Sequence, residues 1–133
     1  MTYVLIAEDD PDIARLLCEG IGDRLSIATH VVANGALVPD ALAERRPDLL
    51  VLDVALPGLS GLDVFDLVRN DPAYAGTPVL FLTASPDRAR EAFSPTGEHR
   101  VMGKPFDVDE LVRAVDEMTC ARTRDAGTAE AAA

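Results

Sequence analysis

The chain has 133 residues, enough for one domain with a sizeable core. Hydrophobic residues make up 48%, as in ordinary globular proteins, and no segment approaches the ~20 apolar residues that span a bilayer. The 23 acidic and 12 basic residues leave a net charge of −11, which argues against direct nucleic-acid binding, since a phosphate backbone needs clustered Lys and Arg.

Met1-Thr2-Tyr3 carries no basic region ahead of the first apolar run, so no signal peptide is expected. Cys18 and Cys120 offer neither a metal spacing nor a disulfide framework and read as plain thiols of a reducing cytoplasm.

Tyr3-Val4-Leu5-Ile6-Ala7 is an apolar run of strand length that ends in Glu8-Asp9-Asp10. Asp10 followed by Pro11 predicts a helix N-cap with proline at the first helical position. Ile13, Leu16, Leu17 and Ile21 keep helical spacing, and Gly20 and Gly22 are expected to mark the helix end. Residues 27–32 read as a shorter strand containing His30, and Asn34-Gly35 as a turn. Residues 36–46 look helical, with a start or a distortion expected at Pro39, and Pro47 closes the segment.

Leu49-Leu50-Val51-Leu52 then reads as a strand buried on both faces and ending in Asp53. The next residues, Ala55-Leu56-Pro57-Gly58-Leu59-Ser60-Gly61, form a turn. Taken alone, Asp53 fits an ordinary strand-ending residue as well as it fits a site residue. Leu62, Phe65 and Val68, with Leu67 beside them, form a helical stripe that Asn70-Asp71-Pro72 ends. Val79-Leu80-Phe81-Leu82 is a fourth strand, ending in Thr83-Ala84-Ser85. Pro86 opens a short expected helix over 87–93, broken by Ser94-Pro95-Thr96-Gly97. Residues 100–102 form a brief fifth strand before Gly103-Lys104-Pro105-Phe106. Asp107 and Glu110 resemble a capping box for a last helix carrying Leu111, Val112, Val115 and Met118. The remainder has little to pack and is expected to be disordered, which gives a domain over 1–119 and a tail over 120–133.

Five strands alternating with five helices predict an α/β fold with a parallel sheet. Its strand ends share one edge, the place where open α/β sheets bind ligands. That edge would collect Glu8, Asp9, Asp53, Thr83 and Lys104. Clustered carboxylates repel, and a hard divalent cation such as Mg²⁺ would balance them. Lys104 would add positive charge, and the Thr83 hydroxyl could donate to an oxyanion. A carboxylate so placed can act as a nucleophile toward phosphorus, with metal and lysine neutralising the transferred group. Asp10 and Asp12 fit the start of the helix, where acids favour the dipole, better than they fit ligands. Glu8 also fits a solvated neighbour. His30 and His99 have no partner pattern and read as surface or satisfied histidines.

Four motifs carry a resemblance to a known family: Val4-Leu5-Ile6-Ala7-Glu8-Asp9-Asp10, Leu49-Leu50-Val51-Leu52-Asp53-Val54-Ala55-Leu56-Pro57-Gly58, Phe81-Leu82-Thr83-Ala84 and Gly103-Lys104-Pro105-Phe106. In this order they resemble the receiver domain of bacterial two-component response regulators, from residue 3 to about 118. The resemblance implies a doubly wound, five-stranded parallel sheet of order 2-1-3-4-5, flavodoxin-like and CheY-like. It implies that Glu8 and Asp9 are the acidic pair and that Asp53 accepts phosphate from a sensor histidine kinase or a histidine phosphotransfer protein. It implies Mg²⁺ bound by Glu8, Asp9, Asp53 and the Ala55 carbonyl, phosphoryl contacts from Thr83 and Lys104, and a cis Lys104-Pro105 peptide. A cytoplasmic signalling module follows. It would catalyse only its own phosphoryl transfer and dephosphorylation, act through an unknown downstream protein, and make no direct contact with nucleic acid or membrane. If the 133 residues are the whole product, the receiver stands alone.

Val101 departs from the family pattern, which usually has an aromatic switch residue there. The stretch between Thr83 and Lys104 is also shorter than in common members. These features predict a short or irregular fourth helix and an altered output face. They also keep open a phosphorylation-independent, pseudo-receiver binding module. An aspartate-nucleophile phosphatase would commonly need a second acid at Ala55.

Overall fold

Three apolar runs are buried at every position and form the centre of the sheet: β1 (Tyr3–Ala7), β3 (Leu49–Asp53) and β4 (Val79–Thr83). The computed structural model describes residues 2–86 and 99–132, with side chains described up to Cys120. The other elements are α1 (Pro11–Leu25), β2 (Ala28–Val32), a 3₁₀ turn (Gly35–Leu37), α2 (Val38–Glu44), α3 (Gly61–Asn70), β5 (His99–Gly103) and a C-terminal helix (Val108–Ala132). All strand pairs are parallel, in the order β2-β1-β3-β4-β5, the doubly wound arrangement expected. The expected helix over 87–93 lies outside the described residues.

The core is two layers because side chains alternate across a strand. Leu5, Ala7, Leu50, Leu52, Val79 and Phe81 face α2 and α3. Val4, Ile6, Leu49, Val51, Leu80 and Leu82 face α1 and the C-terminal helix. The three central strands therefore lack polar alternation, since both faces are covered.

The helix starts follow their caps. Asp10 accepts hydrogen bonds from the Asp12 and Ile13 N–H groups at 2.9 and 3.4 Å, with Pro11 at the first helical position. Asp107 accepts from the Asp109 and Glu110 N–H groups at 2.7 and 3.4 Å. The segment read as one helix over 36–46 is split into the 3₁₀ turn and α2. Pro39 lies in the first turn of α2, where no intrahelical N–H is needed.

Some expectations are corrected. The buried stripe of α1 is Ala14, Leu17, Gly20 and Ile21, leaving Leu16 at 47% exposure. That of α3 is Gly61, Val64, Phe65 and Val68, leaving Leu62 and Leu67 outside. Gly20 does not stop α1. The helix runs on to Leu25 and a left-handed Ser26, and a Cβ at Gly20 would lie 3.2 Å from Val108 Cγ1 of the C-terminal helix. The backbone of the C-terminal helix is described to Ala132. Met118 and Thr119 are buried, the last such positions among the described side chains. No described helix is long and apolar enough to cross a membrane.

Leu50 is fully buried in the central strand. Leu50→Ala should lower unfolding stability by about 2–5 kcal/mol in urea titrations. Leu16→Ala should stay within ~0.5 kcal/mol of the parent chain.

Candidate functional site

Register builds the site. Ala7 pairs with Leu52, so Glu8 and Asp53, each one residue further on, come level at the same sheet edge. On the other side of β3, Asp53 pairs with Leu82, and Thr83 pairs with Gly103, immediately before Lys104. Residues remote in sequence thus converge because the strands stop together. A Lys104 N–H to Thr83 carbonyl bond of 2.7 Å holds the last turn against β4, and the Lys104-Pro105 peptide is cis, as the resemblance implies.

Lys104 Nζ lies between two carboxylates, 2.9 Å from Glu8 Oε2 and 3.0 Å from Asp53 Oδ2. Both acids are buried, at 1% and 4% exposure. The second oxygen of each accepts a backbone N–H two residues on. Glu8 Oε1 takes Asp10 N–H at 3.2 Å, and Asp53 Oδ1 takes Ala55 N–H at 3.1 Å. Every carboxylate oxygen of this pair therefore has a donor. Asp9 is exposed, and one of its oxygens, one of Glu8 and one of Asp53 all lie within 4.8 Å of one another. Thr83 is buried, and its hydroxyl oxygen accepts Ser85 N–H at 3.0 Å, leaving the hydroxyl proton to donate elsewhere. Ala55 and Ser85 are exposed beside the site.

Burial is the main effect on Glu8 and pushes its pKa above the ordinary 4.5; Lys104 opposes this and the Asp53 charge adds to it. Burial alone would lower the Lys104 pKa, but the hydrogen bonds to Glu8 and Asp53 outweigh it and hold it above 10.5. Three carboxylates facing one ammonium leave an excess of negative charge. All the converging donors are oxygens, a set that suits a hard divalent cation.

A brace behind the site was not legible as such. Asn34-Gly35 reads in the sequence as a turn. In the fold, Gly35 N–H donates to the Pro57 carbonyl at 2.9 Å, and a Cβ on Gly35 would fall 1.8 Å from the Leu59 carbonyl oxygen. Gly58 has φ of +79°, and a Cβ there would meet Asn34 Oδ1 at 1.9 Å. The loop after Asp53 is thus seated on the turn after β2. Gly61 closes it: a Cβ there would lie 2.5 Å from the Asp53 carbonyl oxygen. The paired glycines of this loop were the available signal. His99, without a partner pattern in sequence, packs edge-on to Phe65 and Phe81 at 5.8 and 6.2 Å between ring centroids. Val101 pairs with Phe81 and is half-buried against the same cluster.

The sequence matches the response regulator receiver domain over residues 4–116. The chain therefore belongs to that family. It is 34% identical over 113 residues to the DNA-binding response regulator MtrA of Mycolicibacterium smegmatis, covering 84% of this chain and 48% of that protein. It is 42% identical over 126 residues to the response regulator protein PmrA of Pseudomonas aeruginosa, covering 90% of this chain and 54% of that protein. The chain thus spans about half the length of these curated relatives. The fold matches chemotaxis protein CheY4 of Vibrio cholerae with a TM-score of 0.78 at 24% identity, over 89% of this chain and 98% of that one.

Because the Glu8 pKa is raised on folding, Glu8 contributes stability that is fully present below about 4.5 and is lost as pH rises through its folded value. Glu8→Gln should therefore melt a few degrees above the parent chain at neutral pH in chelator, and the gap should close on acidification. Thermal melts across pH check this. Gly61→Ala should cost about 1–3 kcal/mol and displace the Asp53 backbone resonances, read by urea unfolding and NMR.

Proposed function

We propose that this receiver is a phosphoacceptor, with Asp53 taking a phosphoryl group from the phosphohistidine of a sensor histidine kinase or a histidine phosphotransfer protein. The observation that carries the reading is the Lys104 ammonium shared between Glu8 and Asp53, with an Asp9 oxygen in the same cluster. Glu8, Asp9, Asp53 and the Ala55 carbonyl would hold Mg²⁺, which when bound supplies positive charge against the phosphoryl and carboxylate oxygens. A carboxylate oxygen of Asp53 attacks phosphorus. The new P–O bond forms as the P–N bond breaks, and the electron pair stays on the donor imidazole, which takes a proton from solvent. Lys104 is already at the oxygen where negative charge gathers, and it exchanges its Asp53 contact for the phosphoryl group. The Thr83 hydroxyl donates to a phosphoryl oxygen.

The chemistry acts on the chain itself rather than on a separate substrate. Ala55, where a phosphatase would commonly place its acid, favours this over turnover of phosphomonoesters. The phosphoryl group then shifts a two-state equilibrium that a partner protein in the cytoplasm reads. MtrA is named as DNA-binding, and this chain spans about half of it. The net charge of −11 speaks against nucleic-acid contact by this part. Val101 in place of an aromatic supports a second reading, a binding module that keeps the fold without the switch.

Incubation with acetyl phosphate and Mg²⁺, read by intact mass, separates these. The parent chain should gain one phosphoryl group, and Asp53→Ala should gain none. No adduct on the parent chain under any condition would leave the binding module as the reading.

A further inference from the structure

The turn that leaves β2 contributes no side chain to the carboxylate cluster, yet it is bonded to both segments that do. β2 is an edge strand, and β1 stands between it and β3. At the end of β1, the Glu8 N–H donates to the Val32 carbonyl at 3.1 Å. Three residues on, the Gly35 N–H reaches past β1 and donates to the Pro57 carbonyl at 2.9 Å, in the loop after β3. Asn34 adds a second contact to that loop. Its Oδ1 accepts the Ala36 N–H at 2.8 Å, which fixes the side chain against the bare Cα of Gly58. The base of the loop is closed separately, by the Gly61 N–H on the Val54 carbonyl at 2.9 Å. Ala55 lies between these two anchors, Val54 before it and Pro57 after it. The short segment from Val32 to Gly35 therefore ties the end of β1 to the loop that carries Ala55.

We infer that Asn34 and Gly35 are positioning residues for the divalent cation: their turn sets the separation between the acidic pair after β1 and the Ala55 carbonyl, and so sets how tightly the cation is held. The inference rests on the phosphoacceptor reading and on the ligand set proposed with it. Glu8 and Asp53 are directed by their strands and by Lys104. The Ala55 carbonyl belongs to a loop without a strand ladder, so its place depends on what grips that loop. Mg²⁺ demands near-ideal octahedral geometry, which makes its affinity sensitive to a small displacement of one oxygen. A Cβ on Gly35 would fall 1.8 Å from the Leu59 carbonyl oxygen, where real Cβ atoms essentially never come within 3.0 Å. The clash is with backbone, so no change of rotamer relieves it, and the loop or the turn must move by about 1 Å.

The test compares the full parent chain with Gly35→Ala, with Asn34→Ala and with a control, Val79→Ala, which empties a buried position at the far end of β4 from the site. Without metal, Gly35→Ala should shift the amide resonances of residues 54–61 and of Glu8, and the control should leave them in place. In Mg²⁺ titrations followed at the Asp9 and Asp53 amides, Gly35→Ala should raise the half-saturating concentration by at least about tenfold. Asn34→Ala should raise it by about threefold. It removes a contact without adding atoms, so it carries the test if Gly35→Ala does not fold. The control should stay within about twofold of the parent while unfolding at lower urea. Labelling of Asp53 by acetyl phosphate should slow in both turn variants at limiting Mg²⁺ and approach the parent rate at saturating Mg²⁺, a split that the control should not show. Parent-like Mg²⁺ affinity in the folded turn variants would overturn the inference and leave the phosphoacceptor reading standing. Equal weakening in the control would also overturn it, since lost stability would then be the cause. A parent chain that binds no Mg²⁺ would overturn both.

Discussion

The ammonium of Lys104 lies 2.9 Å from Glu8 and 3.0 Å from Asp53, and the site depends on that shared contact. Two carboxylates buried this deeply repel each other and lose most of their hydration. The lysine answers both losses at once, since three donors on one nitrogen can serve two acceptors. Backbone N–H groups of Asp10 and Ala55 take the remaining oxygens, so side-chain direction is held from both sides. Burial keeps the Glu8 pKa raised even so, with the Asp53 charge adding to it. An acidic edge that stays short of positive charge is poised to attract a cation and a group that brings its own charge pattern.

The scaffold meets this demand by stopping four strands at one level. Ala7 and Leu52 are paired, as are Asp53 and Leu82, so the polar residues beyond them are neighbours by register alone. The loop that follows Asp53 has no regular structure, yet it is seated by contact. Gly35 admits the Leu59 backbone where a Cβ would block it, Gly58 takes a positive φ beside the Asn34 side chain, and Gly61 lies directly against the Asp53 carbonyl. The Asp53 carboxylate is therefore supported by packing as well as by hydrogen bonds.

Much of the site could be picked out along the chain. Glu8, Asp53 and Thr83 each end an apolar run, and polar residues at the ends of doubly covered strands stand out against their surroundings. Helix faces were harder. In α1 and α3, Leu16 and Leu62 suit a helical period as well as their buried neighbours do, and only the position of the sheet decides which face turns inward. Gly20 shows the same limit. A glycine that ends a helix and one that lets a second helix approach look alike until the second helix is in place.

The sequence by itself determined the strands, the caps at Asp10 and Asp107, and the residue types at the functional edge, because these depend on local pattern and short-range hydrogen bonding. Tertiary structure alone decided that Lys104 divides itself between Glu8 and Asp53, and that the turn at Asn34-Gly35 braces the loop after Asp53. Those features are distances between groups far apart in the chain, and such distances exist only once the two core layers have closed around the sheet.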